Sequence, residues 1–141
     1  MQKIDKKILR IIDANINRLK EGLRVCEDAV RFGLDSVQLT SGFKQARHRL
    51  TEALKVLRIE PEELLASRDI KKDVGKPSIS SELSRRNFQE VFLANLQRVK
   101  ESVRVLEEFS KVYDQKAAQY FKNIRYGIYN LEKDIFKKFH L

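Results

Sequence analysis

The chain has little that would interrupt a helix: two prolines and five glycines in 141 residues. That scarcity, with no segment of convincing apolar/polar alternation, argues against a turn-dense β architecture. There is one cysteine, Cys26, so no internal disulfide can form, which excludes a disulfide scaffold and agrees with a reducing compartment. Its place on an apolar helix face marks it as a core thiol and not a nucleophile. No apolar run approaches the ~18 residues of a membrane span. The opening MQKIDKKILR carries an acid and lacks the apolar stretch of a signal peptide, so a cytoplasmic, soluble protein is expected. Tryptophan is absent, and no aromatics alternate with arginine as in a base-stacking platform. GxxxxGK[ST] is missing, since Gly75-Lys76 runs into Pro77, and so are HExxH, paired CxxC, GxGxxG and the protein-kinase motifs. Phosphoryl transfer here cannot use a common nucleotide cradle.

Charge, by contrast, is plentiful. Lys and Arg number 29 against 20 acids, a net +9. The excess suits an anionic partner, either nucleic acid or a phosphorylated small molecule. Basic residues are spread through the chain with no run of five or six, and the charge alone does not choose between the two. With 42% hydrophobic and 35% charged residues, the length fits one folded domain over 1–141.

Within that domain the sequence repeats. Residues 14–32, ANINRLKEGLRVCEDAVRF, return eighty positions later as 94–112, ANLQRVKESVRVLEEFSKV, with eight of nineteen positions identical. Chance at average residue usage gives roughly one. Further on, Phe43-Lys44 and Arg47-His48 answer Phe121-Lys122 and Arg125-Tyr126. Helical periodicity covers 3–32, 36–58, 83–112 and 115–139, with a short helix after Pro61 and with Gly33 as a left-handed C-cap. The expected fold is therefore all-α. It is an antiparallel four-helix bundle of two duplicated hairpins, 10–58 and 90–138, joined by a structured linker at 68–81.

Most identical positions of the repeat are polar, which a shared core alone does not demand. On a 100° wheel Asn15 lies inside the apolar stripe, Arg18 on its shoulder and Glu21 beyond it, and Asn95, Arg98 and Glu101 follow suit. Two readings are open. Arg18 pairs with Glu101 and Arg98 with Glu21 as buried specificity devices, or the six residues converge on one cavity. In the cavity reading the arginines bind phosphate and Glu21 and Glu101 hold a metal, with Gly22 leaving room for the ligand. Arg24, Arg104, Glu27 and Glu107 read as solvated unless a second chain covers them, which leaves a homodimer open. His48 beside Arg47 reads as structural or as half of an anion clamp. The linker RDIKKDVGKP, with Arg68, Asp69 and Asp73, is either a charged connector or a mobile lid.

The blocks IDANINRLKEGLRVCEDAVRF, FKQARHRL, SRDIKKDVG and NFQEVFLANLQRVKESVRVLEEFSK resemble the small hydroxymethylpyrimidine phosphate kinases, a family found alone or fused to thiamine-phosphate synthase. The resemblance covers about residues 9–132. It implies ATP-dependent phosphorylation of 4-amino-5-hydroxymethyl-2-methylpyrimidine phosphate to the diphosphate, with ATP and Mg²⁺ as cofactors and thiamine-phosphate synthase as a potential protein partner. Physical chemistry then assigns roles to the matched residues. Arg18, Glu21, Arg98 and Glu101 are the catalytic candidates. Asn15, Asn95, Asp73 and a clamp of Arg47, His48 and Arg68 bind substrate and phosphate. A docking module that binds RNA or the synthase without catalysis is the alternative.

Overall fold

Local sequence sets where each helix begins. In the computed structural model, which describes residues 3–140, all four long helices start on a side chain that accepts from a free backbone N–H. Asp5 caps α1 (Lys6–Asp28), Ser36 caps α2 (Val37–Leu57), Asn87 caps α5 (Phe88–Tyr113) and Asp114 caps α6 (Gln115–Phe139). Two short helices lie between the hairpins: α3 (Pro61–Ser67), opened by Pro61 and Glu62-Glu63, and α4 (Ser80–Leu83). No strand occurs among the described residues. The long helix expected from residue 83 starts five residues later. Asn87 takes the Glu90 amide and Glu90 reaches back to the Arg86 amide, closing a capping box at that point.

Gly33 is not a left-handed cap. No glycine among the described residues has positive φ, and the left-handed residue after α1 is Asp35 (φ 51°). Gly33 instead closes a π-helical turn, Ala29–Gly33, with Leu34 N–H donating to the Ala29 carbonyl at 3.1 Å. A side chain at Gly33 would collide with the Phe88 ring, so close approach and not backbone freedom selects glycine there. The π turn lies where the repeat offset drops from eighty to seventy-eight, so the first hairpin carries its two extra residues in its turn.

Helix α1 packs on α2 and α5, and α6 packs on α5 and α2, closing a four-sided bundle with α3 laid on α1. One core runs through all four long helices, with Phe43, Phe92 and Phe121 its largest fully buried side chains. Gly22, late in α1, lies against Val99 early in α5, while Ala14 and Phe109 line a common groove, so α1 and α5 run antiparallel. A Cβ on Gly22 would stand 2.8 Å from Val99 Cγ2 and 3.3 Å from the Asn95 carbonyl. The missing side chain admits a neighbouring helix, then, and leaves no room for a ligand. Burial repeats with the sequence: residues 21–30 and 101–110 show the same order of buried and exposed positions.

Candidate active site

The linker is held to α1 by one ion pair. Arg68, just past α3, donates from Nε (2.8 Å) and Nη2 (2.7 Å) to the two carboxylate oxygens of Asp13, a buried residue of α1. This fork-on-carboxylate geometry is the strongest arrangement available to an arginine, and the hydrogen bond to Asp13 raises the Arg68 pKa above its ordinary value. The position equivalent to Asp13 in the second repeat is Leu93, so only the first hairpin anchors a strap this way.

The strap and α1 line an open groove of about 930 Å³ whose far side is α5. Ile11, Ile70, Val105 and Phe109 provide apolar wall, and Asn15, Asn17, Arg18, Glu21, Asp69 and Asp73 provide polar groups. Asn15 is buried, its Nδ2 donating to the Ile11 carbonyl at 2.8 Å. Arg18 is exposed and makes a single long contact, 3.4 Å from Nη1 to Asn15 Oδ1, so its guanidinium is largely unspent. Asp73 accepts from the Gly75 amide at 3.0 Å, which folds the strap locally. An apolar wall facing a few polar groups is the usual make-up of a small-molecule site.

The structure brings Asn15, Arg18, Glu21, Arg68 and Asp73 together as lining of this groove. Asn95, Arg98 and Glu101 do not join them, nor do they line the neighbouring groove between α1 and α2. Neither expected cross pair forms: Arg18 contacts Asn15, and Glu101 accepts from Gln97 of its own helix at 2.9 Å. Antiparallel packing explains the difference. Gly22 lies against Val99 and Gly33 against Phe88, so Asn15 and Arg18 lie opposite later residues of α5 than Asn95 and Arg98. No group of three or more His, Cys, Asp or Glu among the described residues is placed to hold a metal.

The solvated reading of Glu27 and Glu107 is also corrected. Both are buried, and each is held by an arginine from the next helix: Arg47 Nε to Glu27 Oε1 and Arg125 Nε to Glu107 Oε1, both at 2.7 Å. Arg24 and Arg104 stand on the other carboxylate oxygen at 3.3 and 3.7 Å. Each hairpin is therefore pinned by an Arg–Glu–Arg set. The sequence carried the signal, since all six positions repeat, but the wheel put the glutamates off the apolar stripe and hid their burial by the second helix. Arg47 and Arg68, nominated as a substrate clamp, already hold protein carboxylates. His48 is exposed and lines the α1–α2 groove with Arg47. Cys26 is fully buried, and burial pushes its thiol up to about 12, as a core thiol requires.

The fold and groove define a class: a small helical domain, duplicated in sequence, with an ionic groove lined by α1, the strap and α5. The chain belongs to the ThiD2 family, whose pattern matches residues 10–134. It is similar to curated proteins named thiamine-phosphate synthase: 37% identical over 135 residues to that of Nostoc punctiforme, 38% over 129 to that of Synechocystis sp. and 39% over 125 to that of Rhodopirellula baltica. Those matches cover 95, 91 and 88% of this chain but 37, 36 and 33% of the relatives, so the chain spans about a third of their length. No solved structure matches it at a significant level. No helix among the described residues is long and apolar enough to cross a membrane.

Proposed function

We propose that this chain phosphorylates 4-amino-5-hydroxymethyl-2-methylpyrimidine phosphate to the diphosphate with ATP, a step of thiamine biosynthesis, in the groove between α1, the strap and α5. The observation that carries the reading is the groove itself, which sets an uncommitted arginine and several carboxylates beside an apolar wall. A flat heteroaromatic ring fits against Val105 and Phe109, and its phosphate fits Arg18. The names of the longer relatives agree with the pathway.

The chemistry asks little of a general base. A phosphate oxygen of the acceptor, already anionic, attacks the γ-phosphorus of ATP, the bond to the β,γ-bridging oxygen breaks, and ADP leaves. Catalysis then consists of alignment and charge neutralisation. Arg18 holds the acceptor phosphate, Asn15 steers Arg18 through its side-chain oxygen, and Arg68 keeps the strap seated through Asp13. When bound, Mg²⁺ offsets the phosphate charge. Glu21 and Asp73 are the carboxylates suited to it, with nucleotide oxygens and water as its other ligands, as is usual for this ion.

The test is turnover of the monophosphate with Mg-ATP, with pyrimidine diphosphate and ADP expected in equal amounts. Arg18→Ala should lower kcat/KM by about tenfold to a hundredfold, the worth of one charged hydrogen-bonded contact. Lys there should restore only part, having no fork. Arg98→Ala, its counterpart outside the groove, should stay within twofold of wild type. Absence of turnover with every divalent metal tried overturns the reading. In that event co-purification with a thiamine-phosphate synthase would favour a docking role, a second reading that rests on the greater length of the relatives.

A further inference from the structure

We infer that the groove between α1 and α2 binds the polyphosphate of a nucleoside triphosphate, through Lys20, Lys44 and His48 set around Arg24 and Arg47. The inference deepens the kinase reading, on which it rests for the use made of the ligand. The groove measures about 520 Å³, the size of a small-molecule site, and Glu21 is the one acid among its lining side chains. Glu21 also lines the α1–strap groove, so the two grooves adjoin at that residue.

The second hairpin is an internal control. It has the same backbone scaffold and the equivalent lysines and arginines, and there each has a partner. Lys100, the equivalent of Lys20, is paired with Glu132 at 2.7 Å. Lys122, the equivalent of Lys44, lies over the Tyr126 ring. Arg125, the equivalent of Arg47, donates to Glu107 and to the Tyr129 hydroxyl and is nearly buried. Arg104, the equivalent of Arg24, is shared between Glu107 and Glu108.

In the first hairpin the covering groups have been replaced. Where the second has Glu132, Tyr129, Tyr126 and Glu108, the first has Leu54, Thr51, His48 and Asp28. Lys20, Lys44 and His48 consequently have no intramolecular partner among the described residues, and the Arg47 side chain keeps 31% exposure against 10% for Arg125. A single carboxylate, Glu27, offsets two arginines and holds both in place. A fold needs only the paired version, which the second half supplies. Unpaired cations gathered in a groove, on a scaffold whose twin neutralises them, fit a polyanion. The compact groove, in place of a long basic stripe, fits a triphosphate better than a nucleic-acid backbone.

The experiment is calorimetric titration with inorganic tripolyphosphate, repeated with ATP as competitor. Lys20→Gln and Lys44→Gln should each weaken tripolyphosphate binding by roughly tenfold or more, while Lys100→Gln and Lys122→Gln stay within twofold. ATP should displace the tripolyphosphate. All four changes weakening binding alike would trace it to the net charge and overturn the proposal, as would indifference to all four. Tighter binding of a single-stranded oligonucleotide, equally sensitive to the four changes, overturns it too. The two proposals fail separately: binding that depends on Lys20 and Lys44 without turnover sinks the kinase reading alone. Turnover with binding blind to those lysines sinks this groove alone.

Discussion

Glu27 and Glu107 show how one side chain acquires its role from a neighbour eighteen or twenty residues away. A carboxylate removed from water needs its charge matched, and removing the match is worse than never having had the pair. Arg125→Ala leaves Glu107 with only Arg104, 3.7 Å away, and should cost about 3–5 kcal/mol. Arg47→Ala leaves Glu27 with Arg24 at 3.3 Å, at a more open site, and should cost about 1–3 kcal/mol. Urea denaturation of the two variants checks the order. Losses under about 0.5 kcal/mol in both would mean the arginines merely decorate the surface. Both arginines align in the repeat, so the sequence pointed to their importance. Burial decided its kind, since Arg47 serves a carboxylate first.

Among the elements, the contact of α1 with α5 depends on Gly22. Alanine there gains helix propensity of about 1 kcal/mol, yet its Cβ meets a stiff Val99 methyl with the Asn95 carbonyl close behind. Overpacking of that kind costs about 1–3 kcal/mol. The net expectation for Gly22→Ala is a loss of about 0.5–2 kcal/mol, a lower Tm readable by calorimetry. Gly75→Ala is the comparison: its Cβ meets only Asp73 Oδ1 at 3.6 Å, and Tm should hardly move. A Gly22→Ala protein as stable as wild type would mean the helices can separate freely. Periodicity located α1, α2 and α6 to within a few residues. It misread Gly33, because a π turn and the approach of Phe88 are invisible to a pattern built on 3.6 residues per turn.

For the molecule as a whole, Cys26 reports global opening. Its thiol pKa is raised by burial from 9.0 to about 12, so the folded state disfavours the thiolate. A raised folded pKa means the associated stability is fully present below pH 9.0. It is lost as pH climbs through about 12, because the unfolded chain releases the proton first. Native protein at pH 8 should therefore react with a disulfide reagent only at the rate of unfolding, and denatured protein within the mixing time. Rapid modification of folded protein at pH 8 would place Cys26 outside the core.

The sequence by itself determined the class of fold and the duplication. Helix periodicity, caps and an internal repeat are local properties, legible without knowing what packs where. It offered Asn15, Arg18, Glu21, Arg68 and Asp73 as site candidates, but grouped the first three with Asn95, Arg98 and Glu101, which do not line the same groove. Tertiary structure alone decided that Asn15, Arg18 and Glu21 line the groove beside the strap while Asn95, Arg98 and Glu101 do not, because antiparallel packing sets equivalent residues at different heights along the helix pair. It likewise decided that Arg47 and Arg68 hold Glu27 and Asp13, and that Lys20 and Lys44 stand free while Lys100 pairs with Glu132 and Lys122 approaches the Tyr126 ring. Those outcomes depend on distances between residues far apart in the chain, which helical periodicity does not record.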